Sequence, residues 1–182
     1  YADLEKKISE KTRVIAIGLA SNIFGTVNEI DRVRQLAYEV GALLVVDGVH
    51  FVPHLLSDVR AIDCDFMLCS AYKFYGPHVG ILYSRPGALD RLDTDRLRVQ
   101  TQNAPYRIER GTLNHAALAG VSAAVDFIAS FGEGSTLREK IVTAMANIQK
   151  YERSLAQQLY LGLRDLDGVD IYGPPLKETQ RA

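Results

Sequence analysis

Residues 14–47 read VIAIGLASNIFGTVNEIDRVRQLAYEVGALLVVD, and in this stretch two apolar runs of strand length flank a helical pattern. The helix is predicted to begin after Asn28, an N-cap residue with an acid three positions later, and to end before Gly41. Its apolar stripe, at helical spacing, comprises Ile30, Val33, Ala37 and Val40. A strand, a helix and a second strand in this order predict parallel strands joined by a right-handed crossover.

Two further apolar runs extend the predicted sheet. Residues 64–69 are predicted to form a third strand, and residues 79–83 a fourth. The connection between them is too short for a helical crossover, so the fourth strand is predicted to run antiparallel to the third. The sequence therefore predicts an α/β fold in which a mostly parallel sheet carries one antiparallel member.

The second half of the chain predicts a loop, two helices and the start of another unit. Residues 90–112 are polar and irregular, and a helical pattern begins at Asn114. After the glycines near position 134, a second and longer helix is predicted over about residues 135–163, and residues 169–172 are predicted to form a strand. We therefore expect residues 1–134 to belong to a large domain. Residues 135–182 are expected to form a linking helix and the beginning of a small C-terminal domain.

Composition and charge narrow the class of protein. The chain has 182 residues, of which 47% are hydrophobic, and a net charge of −1, which fits a soluble globular chain and gives no electrostatic argument for nucleic acid or an anionic membrane. No apolar stretch approaches the roughly 18 residues that a membrane span requires. The two cysteines, Cys64 and Cys69, are interpreted as small core residues in a reducing compartment, so we expect a cytoplasmic protein. No set of histidines has the spacing of a zinc site, and no metal is expected.

Polar residues follow the first three predicted strands, at the point where each strand ends. Asn22 follows the first, Asp47 the second, and Ser70 and Lys73 the third. Ligands of open α/β sheets gather at the carboxyl ends of the strands. A lysine amine forms a Schiff base with an aldehyde, and an acid can keep a pyridine nitrogen protonated, so this pair suits pyridoxal 5'-phosphate. A nucleotide-binding α/β protein is disfavoured because the chain lacks a glycine-rich phosphate loop.

Four linked motifs, spread over residues 12–130, carry a resemblance to a known family. They are residues 20–26 (ASNIFGT), 46–50 (VDGVH), 63–66 (DCDF) leading into 70–77 (SAYKFYGP), and 108–114 (IERGTLN). They resemble the class V aminotransferase group of fold-type I pyridoxal phosphate enzymes, and within it the cysteine desulfurase and selenocysteine lyase branch. The resemblance implies part of the large domain of that three-layer α/β fold.

The resemblance also implies a role for each candidate residue. Lys73 would be the catalytic lysine that binds the cofactor covalently and carries protons. The other implied cofactor-binding residues are Asp47 at the pyridine nitrogen, Asn22 near the 3-hydroxyl, His50 three residues after that acid, Ser70 and Tyr72 at the phosphate, and Gly111 and Thr112, which would reach the phosphate of a partner chain. A small amino-acid substrate and a homodimer with a shared active site are implied with them.

Two positions differ from the desulfurase pattern. Desulfurases usually have glutamine where this chain has His50, and commonly have histidine where it has Tyr72. Histidine at the first position is similar to kynureninases and to members like isopenicillin N epimerase, while a phenol at the second can still donate to phosphate. Carbon–sulfur or carbon–selenium cleavage, transamination and epimerisation therefore all stay open as reactions.

The chain is expected to be the central piece of such an enzyme. Neither cysteine matches the loop cysteine that accepts sulfur in desulfurases, and the arginine that binds the substrate carboxylate is expected outside these residues. A chain of this extent is also compatible with another class of function, a truncated module that dimerises but does not catalyse.

Overall fold

The computed structural model describes residues 1–95, 97–109, 111–174, 176 and 182. Four strands alternate with helices along the chain and are followed by a helical pair. The strands are β1 (Val14–Gly18), β2 (Leu43–Asp47), β3 (Phe66–Ser70) and β4 (Gly80–Ser84). The helices are α1 (Ala2–Lys7), α2 (Ile30–Glu39), α3 (Val59–Ile62), α4 (His115–Ala129) and α5 (Leu137–Arg164), with short 3₁₀ turns at Ala71–Phe74 and Leu89–Arg91.

The sheet has the order β1-β2-β3-β4. The first three strands are parallel, with Gly18 beside Asp47 and Asp47 beside Leu68, and β4 is antiparallel to β3, with Ser70 beside Gly80. The mostly parallel sheet, its one antiparallel strand and the crossover through α2 are therefore confirmed. The third strand begins two residues later and ends one residue later than the pattern predicts.

One face of the sheet carries most of the core. Strand residues on this face pack against α2 and α3, in a cluster that includes Ile15, Val33, Ala37, Leu44, Val46, Ile62 and Met67. Further along the same face, α4 and α5 pack together over the turn that contains Ala71 and Phe74. The opposite face is covered near Phe66 by Ala88, Leu89 and Ile108, while Leu68 and Leu82 on that face stay 41% exposed. Among the described residues, the group around Ala88, Leu89 and Ile108 is all that represents the third layer of the predicted three-layer fold.

The start of α2 differs from the prediction. Glu29 is the N-cap residue and makes no side-chain capping bond, so the assignment of Asn28 as the N-cap is wrong. The side-chain amide of Asn28 instead donates to the carbonyl of Gly18 at 2.7 Å, and this hydrogen bond holds the loop at the end of β1. The predicted end of the helix is confirmed, since Gly41 has a φ of 67° in the left-handed region.

Side-chain caps define the starts of the last two helices. Asn114 accepts a hydrogen bond from the backbone of Ala117 and begins α4, as predicted. Thr136 and Glu139 form a reciprocal capping box at the start of α5, which is 28 residues long. None of the helices in the described ranges has the length and apolar character to cross a membrane.

The predicted strand at residues 169–172 does not form among the described residues. A strand needs a neighbour to satisfy its backbone groups, and no described segment pairs with this one. Residues 175 and 177–181, which belong to the predicted small domain, lie outside the described residues. The division of the chain at residue 134 therefore stays a prediction.

Candidate active site

The loops that carry the candidate residues leave one edge of the sheet. Because β1, β2 and β3 are parallel, their carboxyl ends coincide, and backbone bonds continue the alignment past the strands. Leu19 donates to the carbonyl of Asp47 at 2.8 Å, and Gly48 donates to that of Leu68 at 2.8 Å. Asn22, Asp47 with His50, and Ser70 with Lys73 thus follow three neighbouring strands at this edge, as the sequence predicts.

Asp47 presents an exposed carboxylate at the end of β2. Its Oδ1 accepts a hydrogen bond of 2.9 Å from the backbone N–H of Val49, and no partner for Oδ2 is found in the described part of the chain. A Cβ on the following residue, Gly48, would lie 2.4 Å from Met67 Cε and 3.3 Å from the carbonyl oxygen of Leu68. A larger residue would therefore crowd the close approach of this turn to β3, and the turn leaves the carboxylate exposed.

Lys73 lies in the 3₁₀ turn that follows β3, between two buried residues. Ala71 is fully buried and Phe74 is 7% exposed, and both pack against α4 and α5. Ala71 donates to the carbonyl of Val79 and accepts from the N–H of Gly76, each at 2.9 Å. Packing and two backbone hydrogen bonds therefore hold the turn, which leaves the Lys73 side chain exposed at the edge of the sheet.

The Tyr72 ring is stacked on the ring of His78, which lies just beyond the motif of residues 70–77. Its centroid is 4.8 Å from that of the His78 ring, with 7° between the planes, and Lys73 Nζ is 5.3 Å from the Tyr72 centroid. The stack limits the rotation of a side chain that is otherwise 45% exposed. The close turn at Gly76, which brings His78 back towards Tyr72, is the signal in the sequence that could have indicated this contact.

His50 lies in a partly buried cluster that the sequence did not predict. Its ring centroid is 5.2 Å from that of His54, whose Nδ1 is 3.1 Å from an oxygen of Glu152 on α5. Burial lowers the pKa of His50 below its ordinary value, and the nearby His54 and Lys73 lower it further. The neutral imidazole is therefore favoured at neutral pH. Glu152 is 98 residues from its partner, and no local pattern could have linked them.

A cavity of about 370 Å³ opens between these loops and α5. Its polar lining consists of Asn22, His50, His54, Gln149, Glu152 and Arg153. The structure therefore brings Asn22 and His50 together. Asp47 and Lys73 are not part of this lining, although Lys73 is close enough to influence the pKa of His50.

Gly111 and Thr112 do not join this group within the chain. Both are exposed on the loop before α4, and no hydrogen bond, ion pair or ring contact in the described ranges connects them to Lys73 or Ser70. Ser70, half-buried at the end of β3, stays beside Lys73. The described residues contain no group of three or more potential metal ligands.

Neither cysteine is placed to act as a nucleophile. Cys64 is buried in the main core, and Cys69 is half-buried against the turn that contains Lys73. Burial raises the pKa of both thiols, so the thiolate is disfavoured. The interpretation of both as free core cysteines is confirmed.

Comparison with solved structures supports the architecture. The cysteine desulfurase CsdA of Escherichia coli, determined as its S-sulfonic acid, aligns with a TM-score of 0.76 and 28% identity over 91% of this chain and 41% of that chain. The apo cysteine desulfurase of Thermococcus onnurineus NA1 aligns with a TM-score of 0.78 and 26% identity over 98% of this chain and 44% of that one. These likenesses confirm the predicted α/β fold.

Sequence comparison supports the family. A cysteine desulfurase of Yersinia pseudotuberculosis is 33% identical over 99% of this chain and 44% of that protein, and one of Escherichia coli O9:H4 is 34% identical over 91% and 41%. The chain thus spans less than half the length of these relatives. The family model for class-V aminotransferases matches residues 1–182, which confirms the resemblance of the four motifs. The chain belongs to the class-V aminotransferase family.

Proposed function

We propose that the complete protein containing this chain is a pyridoxal phosphate enzyme that acts on a small amino acid, with cleavage of a carbon–sulfur or carbon–selenium bond as its leading reaction. The observation that carries the proposal is the position of two exposed groups, the amine of Lys73 and the carboxylate of Asp47. They follow neighbouring parallel strands at one edge of the sheet. The relatives that the chain matches are named cysteine desulfurases, which supports the leading reaction.

The donor set fits this cofactor chemically. An amine, a carboxylate and hydroxyl donors at one strand edge correspond to its aldehyde, its pyridine nitrogen and its phosphate. When bound, the cofactor supplies a ring that withdraws electrons and weakens the bonds at the substrate Cα. Lys73 would hold the cofactor through its aldehyde, and its amine would carry protons at the substrate Cα.

Asp47 and His50 act on the ring in this proposal. The Asp47 carboxylate keeps the pyridine nitrogen protonated through a charge-assisted hydrogen bond. The neutral imidazole of His50 offers one donor and one acceptor without adding a positive charge next to Lys73. In this proposal Asn22, which shares the cavity with His50, donates to the 3-hydroxyl.

Ser70 and Tyr72 bind the phosphate in this proposal. Ser70 directly precedes the turn that carries Lys73 and Tyr72 lies within it, so one short segment carries the amine and the phosphate donors together. The stacked His78 fixes the Tyr72 ring, which makes the phenol a preorganised donor.

His50 supports a second candidate, a kynureninase-like or epimerase-like reaction, because these relatives carry histidine at this position. Since neither Cys64 nor Cys69 is suited to accept sulfur, a desulfurase would need a cysteine from another segment. We further propose a homodimer with shared active sites. The free thiols support a cytoplasmic location, since such thiols persist in reducing compartments.

The covalent link tests the proposal directly. We expect the complete protein, loaded with pyridoxal phosphate and reduced with borohydride, to carry the cofactor on Lys73 in peptide mass spectra. Lys73→Ala should lose the label and the visible absorption band, while Lys150→Ala, at an exposed position on α5, should retain both. Labelling at another lysine, or no binding by the wild type, would refute the enzyme proposal.

Product analysis separates the candidate reactions. Release of sulfide and alanine from cysteine under reducing conditions supports desulfuration. A 2-oxo acid indicates transamination, and inversion of configuration at one carbon of the amino acid indicates epimerisation. A complete protein that dimerises but binds no cofactor would instead be a non-catalytic module.

A further inference from the structure

Arg107 is an unusual residue in the long irregular segment between β4 and α4. Among the described residues from 90 to 123 it alone is buried, and its side chain is 8% exposed. Its Nη2 donates to the carbonyl of Leu92 at 3.0 Å, and its Nη1 lies 3.4 Å from Asp90 Oδ1. Its Nε is also buried and has no hydrogen-bond partner in the described part of the chain. Burying a guanidinium with incomplete pairing is unfavourable, which points to a positional role.

The hydrogen bonds of Arg107 are part of a larger set of contacts that hold residues 104–109. Gln100 donates through its side-chain amide to the carbonyls of Tyr106 and Glu109, the latter at 2.8 Å. Ile108 packs against the cluster around Phe66, on the face of the sheet opposite to α2 and α3. Three independent contacts therefore fix this segment, and Arg107 supplies the contact to the preceding 3₁₀ turn.

Gly111 and Thr112 follow these residues and are exposed, but the chain is held before them at Glu109 and after them at Asn114. Gly111 has a φ of 74°, in the left-handed region, and a Cβ there would meet nothing within 4 Å. Thr112 is exposed, and two residues later Asn114 caps α4 through a 3.0 Å bond. Gly111 and Thr112 are therefore open to a group from outside the chain, and backbone N–H groups and a hydroxyl are donors that suit an anion.

We propose that Arg107 is a positioning residue that orients Gly111 and Thr112 towards the cofactor phosphate of a second copy of the chain. Arg107 does not reach the phosphate, because its guanidinium is engaged with Asp90 and Leu92 inside the loop. This inference rests on the proposed function, since the phosphate belongs to the pyridoxal phosphate site. It adds a residue that the four motifs do not include.

Two ligands that differ only in the phosphate test this role. The complete protein and its Arg107→Gln, Arg107→Lys and Thr112→Ala variants are titrated with pyridoxal phosphate and with pyridoxal. Each variant should bind pyridoxal phosphate roughly tenfold or more weakly, the loss expected for a hydrogen bond to a charged group, and should bind pyridoxal unchanged. Arg91→Gln, an exposed arginine in the same region, is the matched control and should bind both ligands as the wild type does.

A merely structural role gives a different result. It would weaken the binding of both ligands alike and lower the melting temperature in parallel, and this outcome overturns the proposal. If Arg107→Gln does not fold, Arg107→Lys decides, because lysine keeps the charge but cannot bridge two partners with a planar fork. Unchanged affinity for pyridoxal phosphate in that variant also overturns it.

Mixed dimers test whether the loop acts on the partner chain. In a dimer of one Lys73→Ala copy and one Arg107→Gln copy, only the second copy retains the lysine. If the loop acts across the interface, that site uses the intact loop of the first copy and binds pyridoxal phosphate with wild-type affinity. If the loop acts within its own chain, the site stays weak and the cross-chain role is refuted. A wild type that binds no pyridoxal phosphate refutes the proposed function and this inference together.

Discussion

Replacing Asp47 with asparagine separates charge from structure at the candidate site. In the native chain, Oδ1 accepts the N–H of Val49 at 2.9 Å and the side chain is exposed. Asparagine has nearly the same size, and its amide oxygen can accept that same hydrogen bond, so the turn at Gly48 should persist. The second oxygen is replaced by a neutral NH2 group, which cannot accept a hydrogen bond from the N–H of a pyridinium ring.

The expected effect follows from the bond that is lost. A hydrogen bond to a charged group contributes about 1.5–3 kcal/mol, and each 1.4 kcal/mol is a factor of about ten in affinity. Asp47→Asn should therefore bind pyridoxal phosphate roughly 10- to 150-fold more weakly. Because the side chain is exposed and its one hydrogen bond is retained, the free energy of unfolding without cofactor should change by less than about 0.5 kcal/mol.

The assay is a spectrophotometric titration of the complete apo-protein, with urea unfolding of the same samples. Asp126→Asn, which changes an exposed aspartate on α4, is the control and should leave the affinity unchanged. Equal affinities of Asp47→Asn and the wild type would refute the assignment of this carboxylate to the pyridine nitrogen. A parallel loss of stability would show that the residue acts on the fold.

Three further predictions concern the pKa of one residue and the stability of the helical pair. The pKa of His50 should lie below 6.5 in NMR titrations, and it should rise in Lys73→Ala. Because the unfolded chain then takes up the proton at a higher pH than the folded chain, His50 should lower the free energy of unfolding as pH falls through 6.5. Gly132→Ala should destabilise by more than about 2 kcal/mol in urea unfolding, since its Cβ would lie 2.0 Å from a backbone oxygen of α5; Gly162→Ala, with open space around it, should stabilise by about 0.5–1 kcal/mol. Thr136→Ala should cost about 1 kcal/mol through loss of the cap of α5, measured in the same way.

The sheet could be predicted because its signals are local. The apolar runs, the helical stripe between them and the short connection after Lys73 determine strand direction through chain geometry alone. Asn28 shows the limit of such signals. An asparagine before a helix usually caps it, but here the open end of β1 offers the carbonyl of Gly18, and the side chain binds that acceptor instead. Local sequence does not encode the choice between two nearby acceptors.

The surroundings of the site depend on longer distances. His78 contacts Tyr72 only because the turn at Gly76 brings the two rings together. His54 contacts Glu152 only because α5 packs over the loop after β2. The sequence therefore predicts which residues reach the edge of the sheet. The residues that support them become visible only once the helices are packed.

Two different forces position the candidate residues, and this difference has consequences. Asp47 follows Val46, which is fully buried, and Lys73 lies between the buried Ala71 and Phe74, so apolar packing holds both. The segment with Thr112 follows residues 104–109, which are held mainly by hydrogen bonds of Gln100 and of the buried Arg107, beside the partial burial of Ile108. A core substitution should therefore disturb the amine and the carboxylate together, whereas a change at Arg107 should affect the phosphate contact alone. Affinity for the phosphate can thus change independently of the chemistry at Lys73.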